Sequence, residues 1–185
     1  DGYSDAWHQE ATEQRGLENL RNTANALPVL RRNDVKELFQ RQAVISPVEL
    51  ESRYEVYSEQ YTLAVEVEAK VALSIVRTQI SPAVQKHLGS LARSISQQQA
   101  VGLNPDQRTL QYAAELQQRM QDQINALDDE LHQLHHGDTT ASMNHAANVL
   151  LPRLLQLRDV VDGLEGLVDD DRWPLPSYRE MLFVS

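Results

Sequence analysis

Cysteine is absent from this 185-residue chain, which removes disulfides and thiolate metal sites from consideration. No apolar run approaches the roughly 18 residues that a membrane span needs, and no secretory leader is visible. Positive charge is scarce: 17 Lys and Arg stand against 27 Asp and Glu, a net charge of −10. Nucleic acid and anionic membrane surfaces call for clustered Lys and Arg, so neither is an expected partner. Glycine occurs seven times and aromatics make up 5%, a composition suited to helices rather than sheets. There is no P-loop, no GxGxxG, no nucleophile elbow and no nucleophile–base spacing. These absences predict a soluble, cytoplasmic, all-α chain without a complete catalytic apparatus. Asp1 in place of Met suggests a chain trimmed at its start.

What is present is helical punctuation. Residues 1–45 read as a connector with short helices. "SDAWHQEATEQRG" has Ser4 as a cap and Gly16 as a left-handed exit, and a turn of helix is expected near Ala24–Leu27. "NDVKELFQRQ" follows, with Asp34 and Glu37 spaced as an acidic capping box. Residues 46–168 read as a bundle of long helices. Ser46-Pro47-Val48-Glu49 is a strong start signal, and Leu50, Tyr54, Tyr57, Tyr61, Ala64, Val71 and Ile75 trace a heptad-like stripe broken at Glu68. The pattern continues past residue 95, with Pro82 expected to kink it or restart it. Such a helix is too long for its neighbours. Either Pro82 folds it back, or residues 47–70 overhang.

A helical hairpin is expected from 105–136 and 139–168, turning at "HGDTT". Leu110, Ala113, Leu116, Met120, Ile124, Leu127, Leu131 and Leu134 line its first arm. Met143, Ala147, Leu150, Leu154, Leu157, Val161, Leu164 and Val168 line its second, which Pro152 is expected to bend. Residues 169–185 form an apolar tail carrying Trp173, Tyr178, Met181, Leu182 and Phe183.

Candidate chemistry is thin. His132 and His136, one helical turn apart, with His145 nearby, are candidate zinc, nickel or copper ligands; the blander reading is positive charge at a helix end. Glu68 is a candidate acid or base if buried, or a stripe-edge carboxylate paired with an Arg. Asp169-Asp170-Asp171 is a candidate cation site or a solvated exit. Tyr54, Tyr57 and Tyr61 form a ridge that reads as core or as a contact edge.

Three stretches carry a family resemblance. "DGYSDAWHQEATEQRGLENLRNT", "ELESRYEVYSEQYTLAVEVEAKVALSIVRTQISPAV" and "VDDDRWPLPSYREMLF" together resemble the carboxy-terminal part of type III glutamine synthetases. The resemblance implies an enzyme that joins ammonia to glutamate with ATP and a divalent metal (Mg or Mn) and assembles from hexameric rings. It also implies that the nucleotide, metal and glutamate ligands lie upstream, so no catalytic or cofactor-binding residue carries over to this stretch. The expected role is an accessory, assembly domain. Its partners would be the catalytic region of the same enzyme and neighbouring subunits, in a homo-oligomer. Tyr54, Tyr57, Tyr61, Trp173, Tyr178, Met181, Leu182 and Phe183 would be the interface candidates. A free-standing helical interaction module and a His-based metal-binding bundle remain as alternatives.

Overall fold

The computed structural model describes residues 4–176 and 178–182, without the side chains of Tyr178 and Arg179. Among these residues there are helices and helical turns and no strand. Helix α1 (Asp5–Gln9) is prolonged by a wide π turn, Glu10–Gln14; α2 (Thr23–Ala26) runs into a 3-10 turn, Leu27–Arg31; α3 is Asn33–Arg41. Helix α4 runs without interruption over 47–100, α5 is Arg108–Gln133, and α6 covers 139–165. A 3-10 turn (Asp170–Arg172) and a short α7 (Tyr178–Leu182) complete the order. This is the all-α architecture expected, with short helices leading into a long-helix bundle.

Local signals explain most ends. Ser46 Oγ accepts from the Glu49 N–H at 3.3 Å while the Glu49 carboxylate accepts from the Ser46 N–H at 2.8 Å, a complete capping box. Ser4 caps α1 through the Trp7 N–H, and Gly16 takes φ +65° beyond the π turn. Asp138 caps α6 by accepting from the Ala141 N–H at 2.7 Å. A Cβ on Gly137 would lie 2.6 Å from that of Ala141, so the reversal needs glycine there.

Other expected ends shift. Asp34 does not cap α3; its carboxylate takes two hydrogen bonds from Arg32, and α3 has no side-chain cap. Helix α5 starts at Arg108, not at Pro105, because Asp106 folds onto the Arg108 backbone and guanidinium. It ends at Gln133, with His132 in its last turn and His135 and His136 beyond it.

Pro82 neither breaks α4 nor turns it back. A proline inside a helix lacks the N–H that would bond four residues back, and its ring crowds that carbonyl. Here a π turn over Val76–Ile80 precedes it, with the Ser81 N–H bonding five residues back to Val76. The same device serves Pro152: a π turn over Ala146–Leu150 ends with the Leu151 N–H on Ala146. One wide turn ahead of each proline lets both helices continue.

Helix α5 runs back along α4, and α6 then lies parallel to α4. Tyr54 meets Thr140 at one end of that pair and His87 meets Asp169 at the other. The seam that α4 buries is not the heptad stripe expected. It is Tyr54, Ser58, Thr62, Val65, Ala69, Leu73, Val76, Ile80, Val84 and His87, steps of 4, 4 and 3 that repeat every 11 residues. Tyr57, Ala64 and Val71 of the expected stripe, and the Glu68 that interrupts it, are exposed. Nor do residues 47–70 overhang, since they pack on α6 and on the 27–31 turn. The free end is the other one: every described residue from 89 to 112 is exposed or half-exposed.

The main core joins α4, α5 and α6 around Ile80, Met120, Ile124, Leu127, Leu150, Leu157 and Leu164, each 2% exposed or less. Both hairpin stripes contribute as expected. A smaller cluster of Ala24, Tyr54, Met143 and Ala147 binds the short helices to the bundle. Leu127→Ala should lower the unfolding free energy by about 2–5 kcal/mol. Val101→Ala at the free end should change it by less than about 0.5 kcal/mol. Urea denaturation of both variants checks the core assignment.

Candidate functional site

The histidines at the hairpin end diverge. His132 Nδ1 lies 2.7 Å from the Asp128 carbonyl of its own helix, and His136 Nδ1 lies 2.9 Å from Gln133 Oε1. His145 Nε2 reaches the Glu130 carbonyl at 3.1 Å, and His135 Nε2 reaches Glu66 Oε2 at 3.1 Å. Among the described residues no group of three His, Asp or Glu side chains is arranged to hold a metal ion. His132 and His136 bond within their own segment, while His135 ties the hairpin end to α4 and His145 ties α6 to α5.

Glu66 is the centre of that end. Its side chain is 13% exposed and bridges Lys70, one turn on, and His135, which arrives from beyond α5. The Lys70 ammonium, with His135 behind it, holds the Glu66 carboxyl below its ordinary 4.5 against partial burial. Nearby, Arg77 of α4 pairs with Asp128 of α5 at 2.7 Å and holds that carboxyl down too. A cavity of about 550 Å³ lies between these pairs, lined by Glu66, Arg77, Asp128 and His132 among others. Glu68, the carboxylate singled out in the sequence, is exposed; it contributes to raising the Tyr61 hydroxyl, whose larger cause is burial.

The tyrosine ridge divides. Tyr54 is fully buried: its hydroxyl lies 2.9 Å from Thr140 Oγ1 and the Arg31 guanidinium sits 4.4 Å over its ring. Arg31 also pairs with Glu51, so one cation joins the 27–31 turn, α4 and the start of α6. Tyr61 is half-buried against the core, and Tyr57 is 42% exposed. Trp173 and Leu175 lie against the main core of their own bundle. Met181 and Leu182 are exposed, while Phe183 and the Tyr178 side chain lie outside the described residues.

On the face of α4 opposite the seam lie Val56, Leu63, Val67 and Val71, each 45–58% exposed. Their spacings of 7, 4 and 4 put them along one line of the helix, half a turn from the buried seam. Gln60 and Ser74 lie along the same line, which is therefore apolar or neutral from 56 to 74. The sequence did not advertise this stripe, because the heptad reading assigned Val71 to the core.

Residues 1–99 match the family described as the glutamine synthetase C-terminal domain. The chain belongs to that family. It is 31% identical over its whole length to a type-3 glutamine synthetase of Dictyostelium discoideum. It is also 28% identical, over 99% of its length, to a glutamine synthetase of Bacteroides fragilis. In both comparisons the chain spans 26% of the relative's length. The family match covers α1 to α4, so it includes the Arg31–Tyr54 node, the wide turn before Pro82 and the outward stripe. No helix among the described residues of this C-terminal domain is long and apolar enough to cross a membrane.

The Glu66 bridge sets a pH dependence. A carboxylate with a depressed folded value contributes its full stability above its unfolded value, and loses it as pH falls through the folded one. Glu66→Gln should therefore be less stable than the parent at neutral pH, and the difference should shrink below about pH 4.5. Chemical denaturation of both forms between pH 7 and pH 3 tests this; a gap that stays constant in acid would contradict it.

Proposed function

We propose that this domain is the accessory, non-catalytic helical part of a type III, ATP-dependent glutamate–ammonia ligase. It packs on the catalytic region of the same enzyme and on neighbouring subunits, holding a homo-oligomer together. ATP and Mg or Mn are used by that region, in the cytoplasm, where nitrogen is assimilated. Support comes from relatives named as glutamine synthetases that are about four times as long as this chain. The observation that carries the docking role is the outward line of Val56, Leu63, Val67 and Val71. A helix that already buries a full seam gains nothing within its own bundle from a second apolar line. Each such side chain, fully covered by a partner, is worth about 2 kcal/mol.

The test compares two settings. In this chain alone, Leu63→Glu with Val67→Glu should leave helicity intact and shift stability by less than about 1 kcal/mol, as exposed positions do. In the full-length enzyme the same pair should split the oligomer in analytical ultracentrifugation and reduce glutamine synthesis. An intact, fully active oligomer would reject the docking role. Separately, the chain alone should form no glutamine from glutamate, ammonia and ATP, and measurable turnover would reject the accessory reading.

A further inference from the structure

On this acidic chain, positive charge gathers in a groove of about 770 Å³ beside the second half of α4. Lys86, Ser90, Arg93 and Gln97 follow one another along a single helical line, with Ser94 next to them. Arg172 closes the groove from the 3-10 turn after α6. No described carboxylate is among the lining residues, although Asp169, Asp170 and Asp171 are close in sequence. Lys86 and Arg93 have no ion-pair partner among the described residues. Arg31, Lys70 and Arg77, by contrast, each pair with a carboxylate.

The third cation is held in place. Arg172 Nε lies 3.4 Å from Asp169 Oδ2. Asp169 is in turn set by the buried ring of His87, whose Nδ1 lies 3.5 Å from both its backbone nitrogen and its carboxylate. Trp173 and Leu175, packed on the core, pin the chain just beyond. Arg172 is therefore carried by a fixed turn, while Lys86 and Arg93 ride on a rigid helix. Gly89 leaves the floor open, with nothing within 4 Å of where a Cβ would stand.

The volume falls in the range of small-molecule sites. Three cations with hydroxyl and amide donors between them suit a charged, hydrophilic guest rather than an apolar one. We infer that this groove binds a small multivalent oxyanion, a molecule bearing two or more phosphate or carboxylate groups, between Lys86, Arg93 and Arg172. Two anionic groups on one molecule would engage the Lys86–Arg93 line and Arg172 together. This inference stands independently of the docking role of the line from Val56 to Val71.

Calorimetric titration of the chain with inorganic pyrophosphate, and separately with citrate, at fixed ionic strength, tests it. Saturable binding is expected, weakened about tenfold or more in the double variant Lys86→Ala, Arg93→Ala. Both side chains are exposed, so its thermal midpoint should match the parent's. Ser90→Glu, which puts a carboxylate in the middle of the groove, should abolish binding by a different route. Tighter binding of pyrophosphate would assign a phosphate-bearing guest, and tighter binding of citrate a carboxylate-bearing one. No saturation with either probe, or equal affinity in the double variant, would overturn the inference.

Discussion

The phase of α4 governs everything else in this domain. An 11-residue repeat over three turns is about 3.67 residues per turn, close to the natural pitch of an α-helix. A seam with that period stays on one side of the helix without the steady left-handed drift that a heptad imposes. Residues 54, 65, 76 and 87 therefore all lie on the buried side, from Tyr54 at Thr140 to His87 at Asp169, just beyond α6. Once that side is committed to the core, the remaining sides acquire their characters. Glu66 and Arg77 reach across to the hairpin, the valine line faces outward, and the cations of the last turns are left to line a groove.

Much of the fold was legible because single residues announced it. Ser46 and Glu49 marked the start of α4, the HGDTT reversal the beginning of α6, and the leucines of α5 its buried face. Two features were harder to read. The seam of α4 carries Ser58 and Thr62 at fully or nearly buried positions, and Thr62 meets its need by donating to the Ser58 carbonyl at 2.9 Å. Polar residues there hid the true period, while Tyr57 and Tyr61, beside the seam, imitated a heptad with Tyr54. The prolines misled for a related reason. A proline signals a fault in hydrogen bonding, but the remedy is a wider turn upstream, and nothing in "VRTQI" or "AANVL" spells that out.

The candidate sites were less legible still, since each is made by residues far apart in the chain. Glu66 meets His135 across 69 positions, and Arg31 meets Thr140 across 109. Arg172 reaches a groove otherwise built from α4. Histidine spacing indicated shared chemistry, whereas His132 and His136 bond within their own segment and only His135 and His145 reach other helices. The apolar tail posed the question of what it covers, and part of the answer is its own bundle: Trp173 and Leu175 close the far end of the core. The family match covers α1 to α4, the part that presents the outward line.

The placement of the two tryptophans gives the domain a built-in optical readout. Trp7 lies under the guanidinium of Arg15 near the start of the chain, 5.0 Å from its ring centre, while Trp173 is set against the apolar core with its indole N–H buried. An indole in apolar surroundings emits further to the blue than one beside water and charge. Release of the tail from the bundle would therefore move one component of the emission spectrum and leave the other in place, so the closing of the core's far end can be followed by light alone, in a chain carrying no added label.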